Sequence, residues 1–280
     1  MATNNKYSLV EQVISQIARS FRQDDIMAVS ATTMCALAGA ILAQRLYAPG
    51  IVIHREALGR TAHLSNMKLP YEPASAPQDS IETYLDNERV WELVFGGRWN
   101  IFMQPIQIDK YGNTNLSLVG DKVKPKVVFV GSRGFPDNTV NCDRTYFVVT
   151  DHSMKVFVEK VDFISGLGHG KVRTVLGIKM GAPHLVFSNL GVFDFDEDTG
   201  RMRIKSINSG VGLGDIIKNT GFELIVPEDV AETPHPSEEE LRLIREEIDP
   251  LGVSRLDFAK GEVYTRIKEQ IQKGQRQNSN

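Results

Sequence analysis

The segment IMAVSATTMCALAGAILAQRLYAPGIVIHRE occupies residues 26–56 and has the clearest folding pattern in the chain. Two short apolar runs, at 26–29 and 51–53, flank an Ala- and Gly-rich segment that ends at Pro49 and Gly50. Short apolar strands on either side of a helix are typical of a parallel sheet covered by helices. Small residues let such a helix pack closely on the sheet. We therefore predict a strand, a helix and a second strand.

The rest of the chain continues this mixed pattern. Ser8 and Glu11 have the spacing of a capping box in front of an amphipathic helix. The fold class that we predict is α/β: three layers, with a mixed, mainly parallel sheet and helices on both of its faces. Further strands are predicted at 102–108, 126–130, 144–149, 156–163, 185–188 and 201–207, with a hairpin near 192–204.

The character of the sequence changes near Pro227. We predict one α/β domain over residues 1–226 and a C-terminal arm over 227–280. The arm is expected to contain one or two helices, the first beginning near Ser237 and ending before Pro250. The polar residues 271–280 are expected to form a disordered tail.

The composition argues against several functional classes. Among 280 residues, 32 Lys and Arg face 35 Asp and Glu, so a nearly neutral chain has no electrostatic reason to bind nucleic acid or an anionic membrane. The most apolar stretch, 34–46, is too short to span a bilayer, and residues 1–7 lack a secretory signal, so we expect a cytoplasmic protein. The two cysteines and six histidines form no metal-binding motif, and no metal is expected.

Glu56 is the first candidate catalytic residue. It comes directly after the predicted strand 51–53, at the end of the strand where a doubly wound sheet opens its ligand crevice. A carboxylate at this position can act as a nucleophile or a general base, or it can be a solvated loop residue. Position alone leaves these three interpretations open.

A glycine-containing loop after the predicted strand 126–130 is the second candidate site. Its glycines free the backbone to point N–H groups at an anion, and Arg133 adds a positive charge, although a plain Gly-Pro loop has the same composition. A second Gly-rich segment, 165–170, either covers a substrate or is a flexible loop. The residues predicted to contact a substrate are Gly131, Ser132, Arg133, Gly134, Phe135 and Asn138.

Several collinear motifs resemble the β subunits of family I CoA-transferases, in particular the glutaconate CoA-transferase type. Together they extend over nearly the whole chain, from about Ile14 to Pro250. The main motifs are Y-A-P-x-x-x-x-x-x-E at 47–56, I-D-x-Y-G-N-x-N at 108–115, G-D-x-x-x-P-K at 120–126 and L-I-R-E-E-I-D-P at 243–250.

This resemblance implies a mechanism in which Glu56 is the nucleophile. Its carboxylate, ionised at neutral pH, attacks the thioester carbonyl and gives an acyl-glutamyl anhydride with release of CoA thiolate. The thiolate then forms a glutamyl-CoA thioester, from which a second acid takes the CoA. N–H groups near Gly131 and Gly134 would stabilise the oxyanion. The resemblance also implies a homologous α subunit, an α2β2 assembly and no cofactor besides the CoA of the acyl-CoA substrate.

Other segments are similar to a second branch of the same fold, the β subunits of ring-opening CoA-thioester hydrolases of steroid degradation. These segments are G-x-R-G-x-P-x-N-T at 131–139, V-F-V-E-x-V-D-x-x-S-G-x-G at 156–168 and S-N-L-G-V-F-D-F at 188–195. Such enzymes cleave a carbon–carbon bond in a cyclic β-diketone-like CoA ester. This second resemblance implies that the decisive carboxylate belongs to the α subunit and that this chain shapes the pocket.

Two departures from the transferase pattern separate the branches. Glu56-Ala57-Leu58-Gly59 replaces the typical E-[SN]-G, and Arg133 interrupts the typical G-[SA]-G-G loop. The spacing of Glu56 nevertheless places CoA transfer first and ring opening second. A third hypothesis, a ligand-sensing domain without enzymatic activity, lacks an accompanying helix-turn-helix or basic patch.

Overall fold

The computed structural model describes residues 6–29, 33–55, 59–61, 81–83 and 86–277. Its α-helices are α1 (Leu9–Ala18), α2 (Met34–Leu46), α3 (Asn87–Phe95), α4 (Phe135–Asn141), α5 (Lys171–Val175), α6 (Leu213–Asn219), α7 (Glu238–Arg242) and α8 (Gly261–Gln277). Its strands are β1 (Ile26–Val29), β2 (Val52–Arg55), β3 (Gly59–Thr61), β4 (Ile81–Thr83), β5 (Asn100–Met103), β6 (Gln107–Ile108), β7 (Thr114–Asn115), β8 (Leu118–Gly120), β9 (Pro125–Val128), β10 (Arg144–Val149), β11 (Pro183–Ser188), β12 (Gly191–Phe195), β13 (Met202–Ile207) and β14 (Ala231–Glu232).

The chain forms two compact units, and the first combines Met1–Asp86 with Pro234–Asn280. In this unit β1 and β2 pair in parallel, with Ile26 opposite Val52, and β3 and β4 extend the sheet in antiparallel orientation. The helix α2 lies between β1 and β2 in the chain. The predicted strand, helix and strand are therefore confirmed.

Close packing of α1 on α2 depends on small residues. A Cβ atom at Gly39 would lie only 2.5 Å from Cγ2 of Ile17, so this crossing requires glycine. The predicted capping box at the start of α1 is confirmed, because Ser8 Oγ accepts from the Glu11 N–H while the Glu11 carboxylate accepts from the Ser8 N–H. Both features follow from local sequence.

A buried carboxylate, Glu240, ties the C-terminal part of the first unit to its N-terminal helices. Its side chain is fully buried, accepts a hydrogen bond from Arg19 Nε at 3.0 Å and another from the Tyr47 hydroxyl at 2.8 Å, and caps α7 through the Ser237 N–H. Burial alone would raise the pKa of Glu240, but these hydrogen bonds outweigh it and lower the pKa. Glu240 is therefore an ionised structural group.

The C-terminal arm is more ordered than predicted. The predicted helix start at Ser237 is confirmed, and a π-helical turn at Leu243–Ile248 continues α7. The prediction of a disordered tail over 271–280 is wrong as far as residue 277, where α8 ends. Ile267, Ile271 and Gln275 are buried at four-residue spacing, and this narrow stripe holds an otherwise polar helix in place.

The second unit, Asn87–Thr233, contains a six-stranded mixed sheet with the order β14-β13-β12-β11-β10-β5. Strands β5, β10 and β11 are parallel, whereas β12 and β13 form an antiparallel hairpin. That hairpin was predicted, and it is confirmed. The α/β fold class with a mixed sheet, parallel in its interior, is confirmed as well.

One predicted strand, 156–163, is absent from the described structure of the second unit, so this prediction is wrong. Only Phe157 makes an isolated bridge, to Ile108. The Phe157 ring is fully buried and stacks on His152 at 3.6 Å between ring centroids, so it belongs to the aromatic core. The charged residues Glu159 and Lys160 that follow are exposed. They end the apolar alternation on which a strand depends.

The limits of the two compact units differ from the predicted boundary between residues 226 and 227. Pro234–Asn280 belongs to the first unit, whereas residues 227–233 belong to the second. The division into a domain and an arm stays a prediction. Within the described ranges, no helix has the length and apolar character needed to cross a bilayer.

Candidate active site

Glu56, the predicted nucleophile, follows β2 directly but lies outside the described residues. The parallel pairing of β2 with β1 ends at Arg55. The catalytic role of Glu56 therefore stays a prediction from the sequence, and the geometry of the site is built from the second unit.

The loop from Gly131 to Gly134 links the region after β9 to α4. Gly131 has a φ of +87°, and no atom of the described residues lies within 4 Å of where its Cβ would be. Arg133 has a φ of +49° and is the only non-glycine residue with positive φ among those described. An L-residue in this conformation is strained by about 1 kcal/mol. The backbone of Arg133 therefore has a conformation that an L-residue disfavours, and its side chain is exposed.

The structure places the six predicted substrate-binding residues in two environments. Arg133 is exposed and Gly131, Ser132 and Gly134 are half-buried, whereas the side chains of Phe135 and Asn138 are buried in the core. The rings of Phe135 and Phe147 stack at 6.4 Å, and Asn138 Nδ2 lies 3.7 Å from the sulfur of Met103. Substrate contact stays a prediction for all six.

A chain of three serine hydroxyls extends from this loop into the interior. Ser132 Oγ lies 3.0 Å from Ser117 Oγ, which lies 2.8 Å from Ser165 Oγ. Ser165 Oγ also accepts a hydrogen bond from the Leu116 N–H at 2.9 Å. The side chain of Ser165 is 2% exposed, so the chain runs from the half-buried loop to a buried hydroxyl.

A polar cluster fixes the segment that carries Ser117. Asn115 is fully buried, and its Oδ1 accepts from the Ser117 N–H at 2.9 Å while its Nδ2 donates to Gln107 Oε1 at 2.7 Å. Asp162 Oδ2 accepts from Gln107 Nε2 at 3.1 Å and from the Gly120 N–H at 2.9 Å. Because the buried amide groups have partners, the cluster can hold the backbone rigidly.

The I-D-x-Y-G-N-x-N motif holds the second Gly-rich segment, 165–170. Asp109 accepts hydrogen bonds from the Asn113 backbone and side-chain N–H groups, which directs Asn113 Oδ1 to the Gly168 N–H at 2.8 Å. A Cβ at Gly168 would lie 2.1 Å from the Tyr111 carbonyl oxygen, so only glycine allows this approach. The motif is therefore a backbone clamp.

Arg173, on α5, is a second clamp on the same segment. Its guanidinium donates to the carbonyl oxygens of Gly168 at 2.8 Å and Leu167 at 3.0 Å, and also to those of Thr139 and Met180. Burial lowers the pKa of Arg173 to about 10, so it still binds these four carbonyls as a cation at neutral pH. It joins the Gly-rich segment to α4.

A buried serine–histidine pair in the second unit is structural. His152 Nδ1 lies 3.0 Å from Ser188 Oγ, and its Nε2 lies 2.9 Å from Thr220 Oγ1. Burial lowers the pKa of His152 to about 3, and Ser188 is 1% exposed. A neutral, enclosed imidazole cannot reach a substrate. In the described part of the chain, no group of three or more His, Cys, Asp or Glu residues could hold a metal ion.

Sequence reasoning missed Ser117 and Arg173, and it included Ser165 only as the first residue of the Gly-rich segment 165–170, without its hydroxyl contact to Ser117. The two serines are 48 positions apart, and a serine by itself has no local signal. Arg173 lies just beyond the Gly-rich segment, in a short run of mixed polar and apolar residues that has the pattern of a surface helix. Only the neighbouring motifs at 108–115 and 156–168 pointed to this region.

Known proteins are similar to this chain over most of their length. The cholesterol ring-cleaving hydrolase IpdB subunit of Mycobacterium tuberculosis is 35% identical over 237 residues, which are 83% of this chain and 91% of that protein. The B subunit of glutaconate CoA-transferase from Acidaminococcus fermentans is 29% identical over 269 residues, 89% of this chain and 96% of that protein. No family model matches the chain.

Solved structures agree with the sequence relatives. The crystal structure of Rhodococcus jostii IpdAB matches with a TM-score of 0.79 and 32% identity, covering 91% of this chain and all of that chain. Glutaconate coenzyme A-transferase from Acidaminococcus fermentans matches with a TM-score of 0.77 and 26% identity, covering 91% and 99%. The chain therefore belongs to the family of B subunits that includes those of the cholesterol ring-cleaving hydrolase and of glutaconate CoA-transferase.

Proposed function

We propose that this chain is the β subunit of a heteromeric enzyme that acts on acyl-CoA thioesters, and that the loop 131–134 contacts the acyl-CoA. The observation that supports this most directly is Arg133, an exposed cation whose backbone has a positive φ in the loop 131–134. Residues held in disfavoured conformations cluster at functional sites. A cation at this position suits the carbonyl and phosphate oxygens of an acyl-CoA.

The partner in this proposal is a homologous α subunit, in an α2β2 assembly. The relatives are named as subunits, and the matching IpdAB structure contains two kinds of chain by its name. CoA enters as part of the substrate, and the reaction needs no resident cofactor. A cytoplasmic location fits Cys35 and Cys142, which are both free and buried.

Ring opening by hydrolysis is the reaction with the broader support, although the sequence motifs alone placed CoA transfer first. The IpdB relatives have higher identity than the glutaconate CoA-transferase relative, and Arg133 interrupts the transferase loop pattern. Water adds to a ring ketone of a cyclic β-diketone-like acyl-CoA, and the adjacent carbon–carbon bond breaks. The products are a carboxylate and a carbanion that is stabilised as an enolate and then protonated. This chain would shape the pocket and stabilise the developing negative charge.

CoA transfer is the second candidate, favoured by the Y-A-P-x-x-x-x-x-x-E spacing that ends at Glu56. The chain also matches 96% of the length of the glutaconate CoA-transferase relative. In this reaction the Glu56 carboxylate would take up the acyl group and then the CoA, conserving the thioester as a glutamyl-CoA intermediate. Transfer therefore requires Glu56 itself, whereas ring opening does not.

One experiment with two arms tests the proposal on the copurified αβ complex. In the first arm, an acyl-CoA and then borohydride are added, and intact-mass analysis with fragmentation looks for reduction of Glu56 to the alcohol. In the second arm, a cyclic β-diketone acyl-CoA is turned over in ¹⁸O-labelled water, and the new carboxylate is analysed for the label. Glu56→Gln is the matched variant in both arms.

The outcomes separate the two reactions. Label in the new carboxylate, with turnover that survives Glu56→Gln, supports ring opening. Reduction at Glu56, with activity lost in Glu56→Gln, supports transfer. If the complex neither binds nor turns over acyl-CoA thioesters of either kind, the proposed function is wrong.

A further inference from the structure

We propose that the Ser132 hydroxyl donates a hydrogen bond to a carbonyl oxygen of the acyl-CoA. Ser117 and Ser165 are positioning residues, because their hydroxyls fix the direction in which the Ser132 hydrogen points. The inference rests on the proposed function and deepens it, because it assigns a substrate group and a polarity to the loop. It follows from the three hydroxyls that connect this loop to the interior.

The donor in each hydrogen bond among the three serines is determined at the buried end of the series, at Ser165. Distances alone allow either hydroxyl of each pair to be the donor. Ser165 Oγ already accepts from the Leu116 N–H, and among the described residues Ser117 Oγ is the only partner left to receive the Ser165 hydrogen. A hydroxyl has one hydrogen to donate. Ser165 therefore donates to Ser117, and Ser117 in turn donates to Ser132.

The opposite direction is unfavourable. If Ser132 donated to Ser117 and Ser117 to Ser165, the Ser165 hydrogen would have no acceptor within the described structure, although its side chain is 2% exposed. A buried hydrogen-bond donor without an acceptor lowers the stability of a folded protein, because it has lost its hydrogen bonds to water. A free hydrogen at Ser132 instead lies on a half-buried side chain, next to Gly131, whose Cβ position has no described atom within 4 Å, and a ligand can accept it there.

With this donor order, Ser132 has a hydrogen to donate, so the ligand group that it contacts must be a hydrogen-bond acceptor. Ser132 Oγ receives a hydrogen bond from Ser117, which makes its own hydrogen a better donor. The matching substrate group is an oxygen that gains negative charge during the reaction, as a carbonyl does when water or a carboxylate adds to it. The neighbouring Arg133 has the same preference for negative charge. In this arrangement Ser132 is a hydrogen-bond donor to the oxyanion of the substrate and not a nucleophile.

The test is a double-mutant cycle in the copurified αβ complex, with steady-state kinetics on the acyl-CoA that the complex turns over. Ser132→Ala is expected to lower kcat/KM about tenfold or more, mainly through kcat, because the lost hydrogen bond is strongest in the transition state. Ser165→Ala is expected to lower kcat about fivefold. In the Ser132→Ala background, Ser165→Ala is expected to have no further effect, because its influence acts only through Ser132.

A matched control separates positioning from general loss of structure. Ser206→Ala removes a buried serine whose hydroxyl pairs with Thr233 at 2.8 Å, outside the chain of three hydroxyls. It is expected to leave kcat unchanged. If Ser165→Ala does not fold, Ser117→Ala interrupts the chain at a half-buried position and replaces it in the cycle.

Each result decides the proposal. If Ser165→Ala lowers kcat by the same factor with and without Ser132, its effect is structural and the inference is overturned while the proposed function stands. If Ser132→Ala leaves kcat unchanged, the inference is overturned as well. If the complex turns over no acyl-CoA, both the inference and the proposed function are wrong.

Discussion

Lowering the pH from about 7 to about 4.5 is expected to destabilise the second unit by roughly 2 to 3 kcal/mol through His152 alone. The imidazole lies in the aromatic core, with Phe157 stacked on one face and both ring nitrogens hydrogen-bonded to hydroxyls. Burial lowers its pKa to about 3 from an ordinary value of 6.5, with a small opposing effect of Asp151. The folded chain therefore binds this proton only in strong acid, whereas the unfolded chain binds it near pH 6.5.

The magnitude follows from these two values. The stabilisation by neutral His152 is nearly complete at neutral pH and is lost progressively as the pH falls from about 6.5 towards 3. Each pH unit in this window is equivalent to about 1.4 kcal/mol of free energy of unfolding. Two units below 6.5 therefore remove roughly 2 to 3 kcal/mol, and the small loss already present at pH 7 does not change this range.

Urea unfolding followed by tryptophan fluorescence measures this effect, because Trp99 is 2% exposed and belongs to the same unit. The free energy of unfolding is compared at the two pH values for the wild type and for His152→Gln, whose side chain stays neutral. Buried carboxylates act equally in both proteins, so they cancel in the comparison. His184→Gln, at an exposed position, is the control. Equal pH dependence in the wild type and His152→Gln would refute the assignment of acid sensitivity to His152.

Three further substitutions test the hydrogen bonds of Arg173, the close backbone approach at Gly168 and the buried carboxylate of Glu240. Arg173→Met is expected to destabilise the second unit by about 3 kcal/mol and to raise the hydrogen exchange of residues 165–170, because four carbonyl oxygens lose their donor. Gly168→Ala is expected to destabilise it by about 2 kcal/mol in urea unfolding, because the new Cβ would meet the Tyr111 carbonyl oxygen at 2.1 Å. Glu240→Gln is expected to destabilise the first unit by about 3 kcal/mol, measured by circular dichroism, because a buried ion pair with Arg19 is broken.

Each of these substitutions has a matched control. Lys171→Met changes an exposed cation at the start of the same helix as Arg173, and it is expected to be neutral. Gly214→Ala adds a methyl group at a position with no atom within 4 Å in the described part of the chain, and it is expected to be neutral or slightly stabilising. Glu239→Gln changes an exposed neighbour of Glu240. A control that destabilises as much as its partner would contradict the specific role of the buried residue.

Much of the fold could be predicted because its signals are local. The capping box at Ser8 and Glu11 depends on residues three positions apart, and the strand at 26–29 is marked by consecutive apolar residues. The tail beyond residue 271 was misjudged because only three buried positions, each four residues apart, hold α8. In so polar a helix, such a narrow stripe is hard to distinguish from a disordered segment.

The site was predicted less completely, because its connections are distant in the chain. The sequence identified the loop 131–134, where glycines and Arg133 stand together. It did not predict the contact between Ser117 and Ser165, because hydroxyl contacts across 48 positions depend on how two loops pack. Phe135 and Asn138 show the converse limitation, since a motif gives the position of a residue and not the direction of its side chain.

The contacts of Arg173 show how the segment 165–170 and its neighbours can change side chains while the backbone keeps its shape. Among the described residues, the acceptors of its guanidinium are all main-chain oxygens, at Thr139, Leu167, Gly168 and Met180. A main-chain oxygen is present whatever the side chain, so exchanges at the partly exposed Leu167 and Met180 leave these bonds in place. Variation at these two positions can therefore accumulate in related chains while the backbone stays fixed. Arg173 itself would tolerate no such exchange.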